Sequence, residues 1–407
     1  MAELSFETLA FQEEDNQLKV NLLRQFFFYL EKAELERIGQ VKVETNKLTF
    51  KDISQEKAER KFNFLLEKGL KQLKNSINDN STVYVHQNSG IPLIGNLSFG
   101  LVYRNTSLIE IKPQTSCNLN CIYCSIGEGI HSNKNDFVVE KDYLVKELKK
   151  LIKFIGENSL EAHIGTHGEA FLYSDIINLI KDLQKVKEVN KISIDTNGTL
   201  LNERMIEELS QFDKVVLNIS LNTLNPETAK TISGVKHYDL NRIVELIKFC
   251  KEKVSVFLTP LIVPSYNDHE IEDLVKFAKE NNLGIGIQNF LRYKTGRNPT
   301  QAWTWDKFYG LLKELEEKYL LKLVYAPQDF KIRYTKKLEK PFKVGDIVRG
   351  EIVCFDRFPG SRLAVVYSTK NLQNRTISLP NCSAKVGKKV KIKITRDKHN
   401  IFIGKVV

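Results

Sequence analysis

Residues 108–129 read LIEIKPQTSCNLNCIYCSIGEG, a short apolar strand followed at once by three cysteines. Cys117, Cys121 and Cys124 stand in a Cys-x3-Cys-x2-Cys spacing, and no cysteine precedes them. Thiolates this close together bind zinc or an iron–sulfur cluster. Structural zinc takes four ligands from Cys and His, and His131 is the nearby candidate for a fourth. Three cysteines suffice for a [4Fe-4S] cube whose fourth iron stays open to another ligand. Spacing alone allows the cluster, a zinc site or a chance grouping.

Working outward, a strand–helix rhythm runs from about residue 108 to 290. LIEIK (108–112) is followed by LEAHIG (160–165), KISID (191–195), VVLNISL (215–221), VSVFLTP (254–260) and LGIGIQNF (283–290), with helical patterns between them. One is SDIINLIKDLQKV, with Ser174 as its expected N-cap. Such alternation predicts a parallel sheet, and six units are too few for an ordinary eight-unit closed barrel. The expected fold class is α/β: a partial (β/α)6 barrel over residues 106–335, with ligands at the carboxyl ends of the strands. Residues 1–105 are expected to be mainly helical, because NLLRQFFFYLEKAELERI (21–38) and SQEKAERKFNFLLEKGLKQLKNSI (54–77) carry apolar residues at helical spacing. Residues 336–407 change to short alternating strands and predict a small β-barrel.

The chain has 407 residues, a formal charge of +11 and six cysteines. No signal peptide, membrane span or disulfide framework is legible, so a soluble cytoplasmic protein is expected. The charge is concentrated. From Lys340 to Val407 there are fifteen Lys and Arg against four Asp and Glu, which accounts for the whole excess. A basic module of this kind suits a polyanionic partner, and it equally describes a lysine-rich solvated surface.

The cysteine loop, placed after the first strand of a βα domain and carrying Tyr123 just before its last cysteine, resembles the radical S-adenosylmethionine (SAM) superfamily over about residues 108–297. The resemblance implies a [4Fe-4S] cluster on Cys117, Cys121 and Cys124, with SAM chelating the open iron. It further implies reductive cleavage of SAM to a 5′-deoxyadenosyl radical that takes hydrogen from the substrate, fed by an electron donor such as ferredoxin or flavodoxin. GTHGEAF (165–171) is similar to the family's Gly-Gly-Glu segment, which places Gly168 and Glu169 at the SAM amino group, with His167 in the position of the usual first glycine. DTNGTLL offers Thr196 and Asn197, NISLNT offers Ser220 and Asn222 toward the ribose, and TPLIVPSYND offers Ile262 on the adenine side. QNFLRYKTGRN carries Arg292, Tyr293 and Arg297 to the expected rim, where cations and an aromatic ring suit a nucleotide. His163 reads as a satisfied core histidine rather than a catalyst.

The C-terminal segment resembles a TRAM domain, a small β-barrel that carries tRNA in several modifying enzymes. Strand alternation puts Lys389, Lys391 and Lys393 on one face, with Arg396 completing the candidate RNA stripe, while Val390, Ile392 and Ile394 turn inward. Cys250, Cys354 and Cys382 are too far apart in sequence for an obvious second cluster, and residues 1–116 lack the extra cysteines of the methylthiotransferase branch. Cys354 and Cys382 fit either burial as small hydrophobes or a relay role. The resulting expectation is a radical SAM enzyme that modifies a nucleoside in tRNA or other RNA. A protein, lipid or small-molecule substrate, or a non-catalytic zinc and RNA-binding protein, are the competing readings.

Overall fold

A computed structural model describes residues 1–368 and 374–407. Among them, six parallel strands lie side by side in chain order: β1 (Leu108–Lys112), β2 (Leu160–Ile164), β3 (Val189–Thr196), β4 (Val215–Ile219), β5 (Ser255–Leu258) and β6 (Gly284–Ile285). The segment Gly100–Tyr103 pairs antiparallel with β1 and forms the other edge of this seven-stranded sheet. The sheet does not close, so the barrel is partial as expected.

Helices cover its outer face for a reason visible in their spacing. Lys141–Ile155 (α1) buries Leu144, Val145, Leu148, Leu151, Ile152 and Ile155, a stripe at intervals of three and four. It stops at Gly156, whose φ of 73° is the left-handed cap that glycine adopts without a Cβ clash. Ile176–Gln184 (α2) buries Ile176, Leu179, Ile180 and Leu183, and its N-cap is Asp175, one residue beyond the expected Ser174. Pro226–Ser233 (α3) and Leu240–Lys251 (α4) connect β4 to β5, and Ile271–Glu280 (α5) connects β5 to β6.

The expectation of a mainly helical N-terminal region is corrected. Residues 1–105 hold nine strands and two α-helices among the described residues. FFFYLE, expected inside a helix, is a strand: Phe26, Phe28 and Leu30 are buried while Phe27, Tyr29 and Glu31 point outward. That period of two, paired antiparallel with Gln17–Leu22, overrides the helical spacing, which only Lys32–Glu36 realises. The second expected helix does form, over Gln55–Leu70. Leu65 and Leu66 pack from it into the core, and it ends at Leu70, short of the apolar pattern that runs on to residue 77. This region shares one continuous apolar core with the partial barrel.

At the other end β7 (Ile347–Phe355), β8 (Arg362–Val366), β9 (Arg375–Leu379), β10 (Lys389–Arg396) and β11 (Phe402–Val406) close into a barrel in the order β7-β8-β9-β11-β10. Gln373, the first residue of one expected strand, and Lys370, one of the fifteen counted cations, lie outside the described residues. A separate core of Phe342, Ile352, Ile377, Leu379, Ile392, Ile394 and Phe402 fills the barrel. No helix of the described residues is long and apolar enough to cross a membrane.

Candidate functional site

The cysteine loop crosses the carboxyl ends of the strands. Its first anchor is a two-residue bridge in which Thr115 and Ser116 pair with His167 and Gly168. Ser116 has a φ of 92°, a conformation that L-residues avoid, immediately before Cys117. Two bonds hold it there: Gln25 Nε2 donates to Ser116 Oγ at 2.7 Å, and Glu169 N donates to the Ser116 carbonyl at 2.9 Å. A second anchor is the end of α3, where the Ser233 and Ile232 carbonyls accept the amides of Asn120 and Ile122 at 2.9 and 3.0 Å. The Cys124 amide then donates to the Cys121 carbonyl at 3.2 Å, and the amide of Glu128 donates to Cys124 Sγ at 3.2 Å.

A cavity of about 380 Å³ opens over this loop. Cys117, Cys121 and Cys124 line it together with Tyr123, Gly168, Glu169, Thr196, Asn197, Ser220 and Asn222, so these ten expected residues converge on one space. Glu169 is buried and held on three sides: its Oε1 accepts Phe171 N at 3.0 Å and Thr196 Oγ1 at 2.7 Å, and its Oε2 accepts Asn197 N at 2.8 Å. Burial pushes its carboxyl pKa upward against those hydrogen bonds. A carboxylate in that position gains from an incoming cation. Asn222 Nδ2 donates to the Tyr123 hydroxyl at 2.5 Å, and its Oδ1 accepts Leu261 N at 2.8 Å. Burial also pushes the Cys121 thiol up to about 11, against a hydrogen bond from Tyr123. Binding iron would therefore expel its proton.

The donor set fits a [4Fe-4S] cluster better than one ion. Among the described residues, no three His, Cys, Asp or Glu side chains gather closely enough to hold a single metal, and His131 is exposed. Three thiols lining a common cavity with a buried carboxylate match a cluster held on three irons with a polar ligand beside it. Cys117, Cys121 and Cys124 would hold the cluster, and Glu169 would take an ammonium group of its ligand.

Several expected residues lie elsewhere. Ile262 is fully buried in the core, and its neighbour Leu261 lines the cavity instead. Strand alternation explains the exchange, because adjacent residues face opposite sides. Arg297, expected on an RNA-facing rim, turns inward: its Nε donates to the Cys121 carbonyl at 2.7 Å and its Nη2 to the Glu128 carbonyl. Arg292 stays exposed and donates to Gln301 at 3.0 Å, and Tyr293, 47% exposed, lines the cavity mouth. His167 sits in ordinary extended pairing, so a side chain is tolerated there. Burial, with Lys112 and Lys134 nearby, lowers its pKa to about 3. Cys250 and Cys382 are buried.

Sequence reasoning missed the residues behind the loop. Glu128, Asp136 and Arg357 form a buried charged group beneath it. It also missed the charged side chains on one wall of the barrel interior, whose other lining includes Phe257, Leu312 and Phe330. A second cavity of about 640 Å³ shares Asp195, Thr259 and Gln288 with the first and is lined by Glu161, His163, Lys191 and Asn218. His163 is satisfied on both nitrogens, by Ser193 Oγ at 2.8 Å and Asp195 Oδ2 at 3.2 Å, but within a cavity wall rather than an apolar core. Ordinary barrels fill this space with branched apolar side chains.

A six-strand partial barrel with three cysteines after its first strand and a buried carboxylate after its second defines a cluster-bearing enzyme. Residues 111–278 match the radical SAM superfamily. An uncharacterised protein of Methanocaldococcus jannaschii is 33% identical over 366 residues, covering 82% of this chain and 83% of that one. The chain belongs to the radical SAM superfamily, whose cofactors are a [4Fe-4S] cluster and SAM. A GTP 3′,8-cyclase of Peptoclostridium acidaminophilum is 30% identical over 210 residues, half of this chain and 61% of that protein. Among solved structures, Streptococcus suis SuiB bound to S-adenosylmethionine aligns with a TM-score of 0.45 at 17% identity, over 79% of this chain and 72% of that one. TYW1 with a lysine–pyruvate adduct aligns with a TM-score of 0.41 at 20% identity, over 56% of this chain and 78% of that one. When bound, the superfamily's cofactors would supply a carbon-centred radical, and the residues lining the cavity would hold them, orient them and exclude water.

Proposed function

We propose that this radical SAM enzyme modifies a nucleoside of tRNA or another RNA, with residues 336–407 acting as the RNA-holding, TRAM-like module. The observation that carries the reading is the outer face of β10. Lys389, Lys391 and Lys393 all point to solvent, while Val390, Ile392 and Ile394 fill the barrel. Across the ladder Lys391 faces Arg349, and Lys393 faces Lys405. Like charges directly opposite each other destabilise a sheet unless a polyanion neutralises them. Glu351, opposite Lys389, is the one acid in this register. A groove of about 530 Å³ beside the face is lined by Arg349, Tyr367, Lys389 and Lys391, a pairing of cations and an exposed ring that suits phosphate and base. Arg396 extends the stripe, and Arg292 and Tyr293 mark a nucleotide-compatible rim at the cavity. Two of the fifteen C-terminal cations, Arg357 and Arg375, are buried and contribute nothing to that surface. The enzyme would work in the cytoplasm, drawing its electron from a ferredoxin or flavodoxin.

A free nucleotide is the second reading, favoured by the likeness to GTP 3′,8-cyclases over half of the chain. Mass spectrometry of tRNA and rRNA nucleosides from cells lacking the gene separates the two. Loss of one modified nucleoside, restored by the wild-type gene but not by Cys117→Ala, supports the RNA reading. An unchanged nucleoside profile with an altered free-nucleotide pool rejects it.

A further inference from the structure

We propose that Arg357, carried by the C-terminal barrel, is a positioning residue for the iron–sulfur cluster. It sits in the loop between β7 and β8, and its guanidinium is buried between two carboxylates. One is Glu128, four residues beyond Cys124, and the other is Asp136, whose Oδ1 lies 3.0 Å from Arg357 Nη1. The side chains of Arg357, Glu128 and Asp136 are 5%, 2% and 0% exposed.

The backbone is bound as tightly as the charges. Arg357 Nη1 donates to the Asn135 carbonyl; in return the Asn135 amide donates to the Arg357 carbonyl at 3.0 Å, and Asn135 Nδ2 to the Asp356 carbonyl at 2.7 Å. Nearby, Lys134 Nζ donates to the carbonyls of Ile126 and Gly127 at 2.7 Å each and lies 5.9 Å from the centre of the Phe358 ring. The C-terminal barrel thus braces the stretch 126–136 that follows the last cysteine, rather than hanging from the core as a separate arm.

Glu128 is where the brace meets the cluster. Arg357 holds its carboxylate, Arg297 holds its carbonyl, and its amide points at Cys124 Sγ at 3.2 Å. Hydrogen bonds to ligating sulfurs and nearby charge are the protein's levers on cluster potential, and groups that orient ligands tune the metal they bind. A peptide N–H on a thiolate and a buried cation behind it both favour the more negatively charged, reduced cluster. Arg357 therefore makes the cluster easier to reduce without touching it. The inference rests on family membership and geometry, and holds whichever substrate the enzyme takes.

The test uses the full chain with its cluster reconstituted under anaerobic conditions. Arg357→Gln is expected to move the cluster's midpoint potential to more negative values, change the electron paramagnetic resonance signal of the reduced cluster, and speed iron loss to a chelator about tenfold. Arg357→Lys keeps the charge and should recover most of the potential shift. If Arg357→Gln does not fold, Glu128→Gln releases the same brace from its other side: faster iron loss and a changed signal are again expected, with the midpoint potential moving to less negative values because an anion beside Cys124 is removed. A folded variant with a lowered melting temperature but unchanged potential, signal and iron-loss rate would overturn the proposal, leaving Arg357 as a joint between two modules.

Discussion

Gly168 lies so close to Ser116 that a Cβ built on it would stand 1.7 Å from the Ser116 carbonyl oxygen. The second strand's loop and the cysteine loop are pressed together there, and only a residue without a side chain fits. Gly168→Ala is expected to destabilise the fold by about 1–3 kcal/mol through overpacking. It should also displace Ser116, and with it Cys117, so that less iron is retained on reconstitution. Thermal unfolding and iron analysis check this; a variant with wild-type melting and full iron would contradict the close packing.

Glu169 is the buried carboxylate that lines the cavity together with the cysteines. Charge-assisted hydrogen bonds contribute roughly 1.5–3 kcal/mol, so Glu169→Gln should weaken SAM binding about 10- to 100-fold. The absorption spectrum of the cluster should stay as in the wild type, because the three thiols are untouched. Calorimetric titration of the reconstituted protein measures the affinity, and an unchanged constant rejects the assignment.

His163 and Asp195 form a pair whose stability contribution depends on pH. Burial opposes the charge on His163, but Asp195 outweighs it and holds the pKa above the ordinary 6.5. Burial likewise opposes the Asp195 carboxylate, and His163 holds it below the ordinary 3.8. The histidine term is complete below its unfolded pKa and is lost as pH rises through the raised folded value. The aspartate term is complete above its unfolded pKa and is lost as pH falls through the depressed one. His163→Gln should therefore cost more stability near about pH 5.5 than near about pH 8.5. Urea denaturation at the two values decides, and an equal or reversed difference speaks against a charged pair.

If RNA binds the face of β10, its lysines release counterions. Replacing Lys389, Lys391 and Lys393 together with glutamate should weaken tRNA binding and flatten the slope of log affinity against log salt by about 2–3, or roughly 0.7–0.9 per phosphate contact. SAM cleavage without substrate should be unaffected, since these residues line neither core cavity. Binding measured by filter retention over a salt series that shows the wild-type slope would remove this face from the interface.

What could be read before folding was local. The six parallel strands are short apolar runs separated by long helical stretches, and each appears where the alternation places it. The cysteine loop is contiguous, and so are the segments around Glu169, Thr196, Asn197, Ser220 and Asn222, because strand order brings the strand ends to one rim. The reading failed where two periods compete. Three consecutive phenylalanines at 26–28 satisfy a helical face and a pleated one equally, and only the partner strand Gln17–Leu22 decides between them. It also failed on single side chains such as Ile262, where a shift of one position exchanges cavity for core.

The chemistry was legible in residue order: three thiols in one loop, an acid after the next strand, and a basic tail. Tertiary structure alone decided which cations serve that tail's surface and which are spent inside. Arg357 and Asp136 are 221 positions apart, and no periodicity or composition links them. Their pairing arises because a guanidinium is costly to bury unless acceptors are in place to receive it, here two carboxylates, a condition set by the path of the whole chain.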